Sequence, residues 1–129
     1  MIKIERIDHF VLTVQNIDKT VAFYEKLGMS REVFKENRIA LKFGNQKINL
    51  HQLGNEFEPK ALNVQTGSAD LCFIIDENLN KVVKYLDINN IKIKEGIVDR
   101  TGAIGKIKSI YLRDPDGNLV ELSNYVKEF

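Results

Sequence analysis

Four side chains stand out by type and setting. The chain has only two histidines, His9 and His51, and each interrupts an apolar run. Asp70 and Glu121 are the carboxylates embedded in strongly apolar stretches, Leu71-Cys72-Phe73-Ile74-Ile75 following the one and Leu119-Val120-Glu121-Leu122 enclosing the other. A charge on a buried sheet face needs a cation, a metal or a hydrogen-bond donor beside it. One or two imidazoles with one or two carboxylates make a mixed N/O set that suits divalent Mn, Fe, Zn or Ni. Open positions on such an ion suit Lewis-acid work on chelating oxygens. Asn49 and His51 are two residues apart in one strand and so share a face, roughly 7 Å apart. The spacing leaves a plainer alternative open, with His9 a satisfied core histidine and Asp70 and Glu121 facing solvent at strand ends. No short-range ligand spacing such as Cys-x-x-Cys or His-Glu-x-x-His is present.

The elements that must position these groups follow from periodicity. Residues 4–14 alternate loosely and are rich in Ile, Val and Phe, which predicts a strand with His9, Val11 and Thr13 on one face. Asn16 is a good N-cap for a helix over Ile17–Leu27, and Gly28 sits where a C′ glycine belongs. A polar strand is predicted over 29–36 and better ones over 38–43 and 47–53, the latter two joined by the Gly44-Asn45-Gln46 turn. Residues 54–68 carry no periodicity and read as a connection. The pattern then starts again. Ala69–Ile75 is a strand, and Leu79, Val82, Val83 and Leu86 make a helical stripe ending near Asn89-Asn90. Ile91–Lys94 alternates as an edge strand whose lysines discourage edge pairing. Asp99–Gly105 reads as a glycine-containing loop carrying Arg100. The last two strands flank Asp114-Pro115-Asp116-Gly117-Asn118, which is turn chemistry: Pro115 presets φ and Gly117 accepts φ > 0.

The chain therefore reads βαβββ twice, as a single domain over 1–129 built of a repeat at about 4–53 and another at about 68–125. Laid on each other, the repeats match His9 to Asp70, Asn49 to Glu121 and His51 to Ser123. The expected architecture is α+β, two βαβββ repeats forming paired curved mixed sheets around a metal cleft.

Composition narrows the function classes. The 129 residues carry a formal net charge of +1 with 29% charged and 43% hydrophobic residues. That balance, with scattered lysines, gives no footprint for nucleic acid. No window is long and apolar enough for a membrane span, and no apolar segment precedes the charged N-terminus. The single cysteine, Cys72, excludes an internal disulfide, fits a reducing cytoplasm, and reads as a small buried hydrophobe.

Three blocks carry a resemblance: Ile7-Asp8-His9-Phe10-Val11-Leu12-Thr13-Val14, Phe23-Tyr24-Glu25-Lys26-Leu27-Gly28-Met29, and Asp114-Pro115-Asp116-Gly117-Asn118-Leu119-Val120-Glu121-Leu122. In that order they resemble the vicinal oxygen chelate superfamily of glyoxalases, bleomycin-resistance proteins, fosfomycin-resistance thiol transferases and extradiol dioxygenases. Phe43–His51, Phe57–Ala61 and Arg100–Ala103 are similar to a subgroup of small glyoxalase domain-containing proteins. The resemblance implies a divalent metal (Zn, Ni, Mn or Fe) with His9 and Glu121 as ligands, and His51 or Asp70 completing the set. Asp70 stands where the metal enzymes usually carry His, and Asn49 where glyoxalase I usually carries Glu. The resemblance further implies Glu121 and Asp70 as catalytic groups. It leaves Arg100, Tyr111 and Asn49 as candidate substrate contacts, each with a structural alternative. The expected protein is a cytoplasmic homodimer acting as a metal-dependent lyase, isomerase or dioxygenase on a small molecule with vicinal oxygens. The alternatives are a metal-free binding protein of the bleomycin type and a thiol transferase of the fosfomycin type.

Overall fold

Two four-stranded mixed sheets, each accompanied by one helix, make up the described part of the chain. The computed structural model describes residues 1–127. The chain divides into two units, Met1–Gly67 and a second from Ser68 onward.

In the first unit the order is β1 (His9–Val14), α1 (Ile17–Lys26), β2 (Ser30–Phe34), β3 (Arg38–Phe43) and β4 (Gln46–Gln52). The strands lie in the order β1-β4-β3-β2, with β1 parallel to β4 and the other pairs antiparallel. The helix begins where the Asn16 side-chain oxygen accepts the Lys19 N–H at 2.9 Å, satisfying one of the free N–H groups of the first turn. Leu12, Val14, Ile39, Leu41, Ile48 and Leu50 alternate onto one face and are buried with Val21 and Tyr24 of the helix. Each such side chain contributes about 1.5–3 kcal/mol by leaving water. The other, open face carries His9, Val11 and Thr13 of β1, Lys47, Asn49 and His51 of β4, Ala40 and Lys42 of β3, and Glu32 and Phe34 of β2.

The second unit repeats this order with β5 (Asp70–Ile74), α2 (Leu79–Ile88), β6 (Ile93–Thr101), β7 (Lys106–Arg113) and β8 (Leu119–Tyr125). Its sheet runs β5-β8-β7-β6, again with the outer strand β5 parallel to β8. Val120, Leu122, Ile110 and Leu112 are buried with Leu79 and Leu86 of the helix. Asp70, Cys72, Glu121, Ser123, Ser109 and Tyr111 fall on the open face.

Two boundaries differ from the sequence reading. The first strand starts at His9 rather than at residue 4, because its ladder partner begins there: His9 pairs with Lys47, and β4 turns away just beyond at Gly44-Asn45. Residues 1–8 are exposed. The stretch around Arg100 belongs to β6, not to a loop, since Asp99, Arg100 and Thr101 pair with Lys108, Ile107 and Lys106. Only Gly102–Gly105 forms the connection, closed by the Gly102 N–H donating to Gly105 O at 2.7 Å. β6 reaches this length by two register shifts, at Ile93/Glu95 and Gly96/Val98. Gly96 is required there. A Cβ on it would stand 2.7 Å from the Ser109 carbonyl oxygen, and its φ of +128° disfavours any side chain.

Candidate functional site

The turn between β7 and β8 fixes the strand that carries Glu121. Gly117 N–H donates to Asp114 O at 3.0 Å, and Gly117 holds φ +88°. Asp114 is 5% exposed, and its carboxylate accepts Asp116 N–H at 2.9 Å, Asn118 N–H at 3.0 Å and Asn118 Nδ2 at 2.8 Å. Asn118 in turn accepts the Ala69 N–H at 2.8 Å, which ties the start of β5 to the turn. The register that follows pairs Cys72 with Glu121 and Asp70 with Leu119.

Glu121 sits in a hydroxyl cluster. Ser109 Oγ donates to Glu121 Oε2 at 2.6 Å, and Ser123 Oγ lies 3.3 Å from the same oxygen. Ser109 and Ser123 are fully buried and 2.7 Å apart, and Ser123 Oγ also meets Cys72 Sγ at 3.4 Å. One carboxylate oxygen is thus held while Oε1 takes none of these bonds. Cys72 is exposed on the open face rather than a buried hydrophobe, because its side chain turns away from the helix-covered core. Partial burial of the thiol still pushes it up, the Ser123 hydrogen bond opposes that, and the Glu121 charge adds to it. Asp70 is exposed on the same face, one ladder step from the Cys72–Glu121 pair.

Tyr111 pairs directly across from Glu121, and its hydroxyl accepts Arg100 Nε at 2.9 Å. Arg100 also donates through Nη1 to Asp99 O at 2.9 Å and lies 3.6 Å from Glu95 Oε1 through Nη2. The Tyr111 bond, ahead of the neighbouring carboxylates, raises the guanidinium further above its ordinary range. A ligand anion at Arg100 competes with these partners.

In the first unit, His9 Nδ1 is 2.7 Å from Asp8 Oδ2, with side chains 47% and 70% exposed. The hydrogen bond from His9 holds the Asp8 carboxyl below its usual range, and an ionised carboxylate only accepts. The shared proton therefore lies on Nδ1, which leaves Nε2 as the lone-pair nitrogen of that tautomer. A carboxylate behind an imidazole in this way is the arrangement that orients metal-binding histidines.

His51 is differently placed. It is 8% exposed and packs edge-on to Phe57, ring centroids 5.4 Å apart. Burial lowers its pKa first, Arg38 lowers it further, and Glu56 opposes both. It pairs with Thr13 while His9 pairs with Lys47, four residues or roughly 13 Å along the ladder. Asn49 lies between them, opposite Val11, and its Oδ1 is buried without a hydrogen-bond partner.

Taken unit by unit, the donor types suit a divalent metal: an imidazole Nε2 backed by a carboxylate and an unpartnered amide oxygen in the first, and a carboxylate held by hydroxyls in the second. Among the described residues, no group of three or more His, Cys, Asp or Glu side chains stands together to hold an ion. Sequence reasoning missed Asp8, Ser109, Ser123 and Glu32. Asp8 was masked by alternation, which places it opposite His9, but it precedes the strand. The serines carry no signal until the β7–β8 register sets them beside Glu121.

Residues 6–122 match the Glyoxalase/Bleomycin resistance protein/Dioxygenase superfamily, and the chain belongs to it. It is 54% identical to the glyoxalase domain-containing protein RDO1 of Mycosarcoma maydis, over 96% of this chain and 70% of that one. It is 60% identical to virulence protein STM3117 of Salmonella typhimurium, covering 95% of this chain and 86% of the relative. Among solved structures, an integron cassette protein from the mobile metagenome of V. cholerae superposes with a TM-score of 0.95 at 59% identity, covering 98% of this chain and 99% of that one. The βαβββ units are the fold of this superfamily. No helix among the described residues is long and apolar enough to cross a membrane.

Proposed function

We propose that the chain is a metal-dependent enzyme of this superfamily, acting on a small molecule with two adjacent oxygens. The observation that carries the reading is the 2.7 Å contact of His9 Nδ1 with Asp8, which leaves Nε2 as the nitrogen able to donate to a metal. His9 and Glu121 would hold the ion, with Asp70 completing its set or standing beside it. A bound divalent ion supplies Lewis-acid polarisation of a chelating oxygen. The protein's own groups have separate tasks. Asp8 fixes the His9 tautomer, and Ser109 and Ser123 hold one oxygen of Glu121. Asp70, exposed and one ladder step away, would take a proton from bound substrate. Asn49, Arg100 and Tyr111 contact the substrate.

Metal content tests this. Wild type loaded with Mn²⁺, Ni²⁺ or Zn²⁺ should retain about one equivalent, and His9→Ala and Glu121→Ala should each lose affinity about 10-fold or more. A wild type that takes up no stoichiometric metal refutes the reading. Thiol adducts of 2-oxoaldehydes and catechols are the substrates to screen.

A further inference from the structure

The open face of the first sheet holds a row that the reading above uses only in part. Glu32 pairs with Ala40, and Ala40 with Asn49, so the three side chains stand side by side across β2, β3 and β4. Both flanking groups end in a buried oxygen with no hydrogen-bond partner, Glu32 Oε2 and Asn49 Oδ1. Between them Ala40 presents only a methyl group and is fully buried. Acceptors buried without donors are costly, about 1–3 kcal/mol each and more for a charged group, and call for an explanation.

The cations of this face do not supply one. Among the described residues Glu32 takes part in no ion pair, although Lys42, Lys47 and Arg38 share its face. Two of the three rest on aromatic rings instead. Arg38 lies 4.0 Å from the Phe57 centroid, and Lys47 Nζ lies 3.7 Å from that of Phe34. Lys47 is two residues before Asn49 on β4, and Phe34 two residues after Glu32 on β2. For their ends to meet, the two side chains must reach toward each other diagonally over Ala40. The row therefore has a floor, two acceptor walls and a movable roof. Lys47 and Phe34 are part-buried, and a cation–π contact in that setting is worth about 1–2 kcal/mol, little enough for the roof to open.

We propose that Glu32 and Asn49 form a subsite for a primary ammonium group of the small-molecule ligand, admitted when Lys47 swings off Phe34. Two oxygens flanking a methyl-floored gap complement a compact cation that carries several N–H donors. The subsite deepens the proposed function, since it rests on Asn49 as a substrate contact, and it assigns the substrate class: an amine-bearing compound.

The test is NMR titration of the full chain with n-butylammonium chloride, against tetramethylammonium chloride at equal ionic strength. The second ion has the same charge and no N–H donor. Saturable shifts of the Ala40 amide and the Asn49 side-chain amide are expected with butylammonium alone, with a Kd of about 1–10 mM for so small a ligand. Glu32→Gln should weaken binding at least about 10-fold while leaving the thermal midpoint equal or higher, since it removes a carboxylate whose Oε2 is buried without a partner. Lys47→Ala should bind as well or better. Equal response to both ions, no response to either, or a lowered midpoint in Glu32→Gln overturns the proposal. A long-lived water at Ala40 without butylammonium binding overturns it too, as does occupation by Mn²⁺ in place of the amine. Metal uptake in Glu32→Gln should match wild type, so loss of the metal reading and loss of the amine subsite register in separate measurements.

Discussion

Replacing Asp114 by alanine should be among the most damaging single changes in the second unit. The carboxylate accepts the Asn118 N–H and Asn118 Nδ2, both buried, and the part-buried Asp116 N–H. Two buried donors left without an acceptor cost about 1.5 kcal/mol each, and the third, reachable by water, about 0.5 kcal/mol. The sum is about 3.5 kcal/mol. Asp114→Asn keeps Oδ1 for the two backbone donors but sets an amide NH₂ against Asn118 Nδ2, so about 1.5 kcal/mol is expected. With an unfolding entropy of about 0.27 kcal/mol/K for a chain of this length, the alanine variant should melt about 13 °C lower. Urea unfolding reads the same quantity as a shift in midpoint at unchanged slope. Hydrogen exchange locates it: the Ala69 amide, bonded to Asn118 Oδ1, should lose protection first. An alanine variant that loses less than about 1 kcal/mol, or an asparagine variant that loses as much as the alanine, refutes the account. The consequence reaches the site, because this turn sets the β5–β8 register that places Glu121 beside Cys72.

Two further outcomes follow from the shifted groups. His51 titrates below its ordinary value near 6.5 because it is buried and faces Arg38, so the unfolded chain takes up its proton more readily than the folded one. That contribution to stability is complete above the unfolded value and is lost as pH falls through it toward the folded value, and His51→Gln should flatten urea midpoints across this window. Cys72 should react with iodoacetamide more slowly than free cysteine near pH 8, and Glu121→Gln should speed it up by removing one cause of the raised thiol pKa. A thiol as fast as free cysteine in the wild type contradicts the partial burial of Cys72 and its contact with Glu121.

The amino-acid sequence determined the order of elements and the faces of the strands that carry the chemistry. Periods of two and 3.6 are local properties, as are the Asn16 cap and the Asp-Pro-Asp-Gly-Asn turn. From them came both helices, the repeat, and the match of Asn49 to Glu121, which the ladders place opposite Val11 and Cys72. The tertiary structure decided where each ladder ends and which atoms meet. β1 starts at His9 because its ladder with β4 begins there, and that frees Asp8 to turn back onto the imidazole. Arg100 lies in a strand because Ile107 pairs with it. Ser109 reaches Glu121 from a neighbouring strand, and Glu32 shares a row with Asn49 across two ladders. Those neighbours are set by the pairing register, which depends on residues far apart in the chain and leaves no trace in the spacing around any one of them.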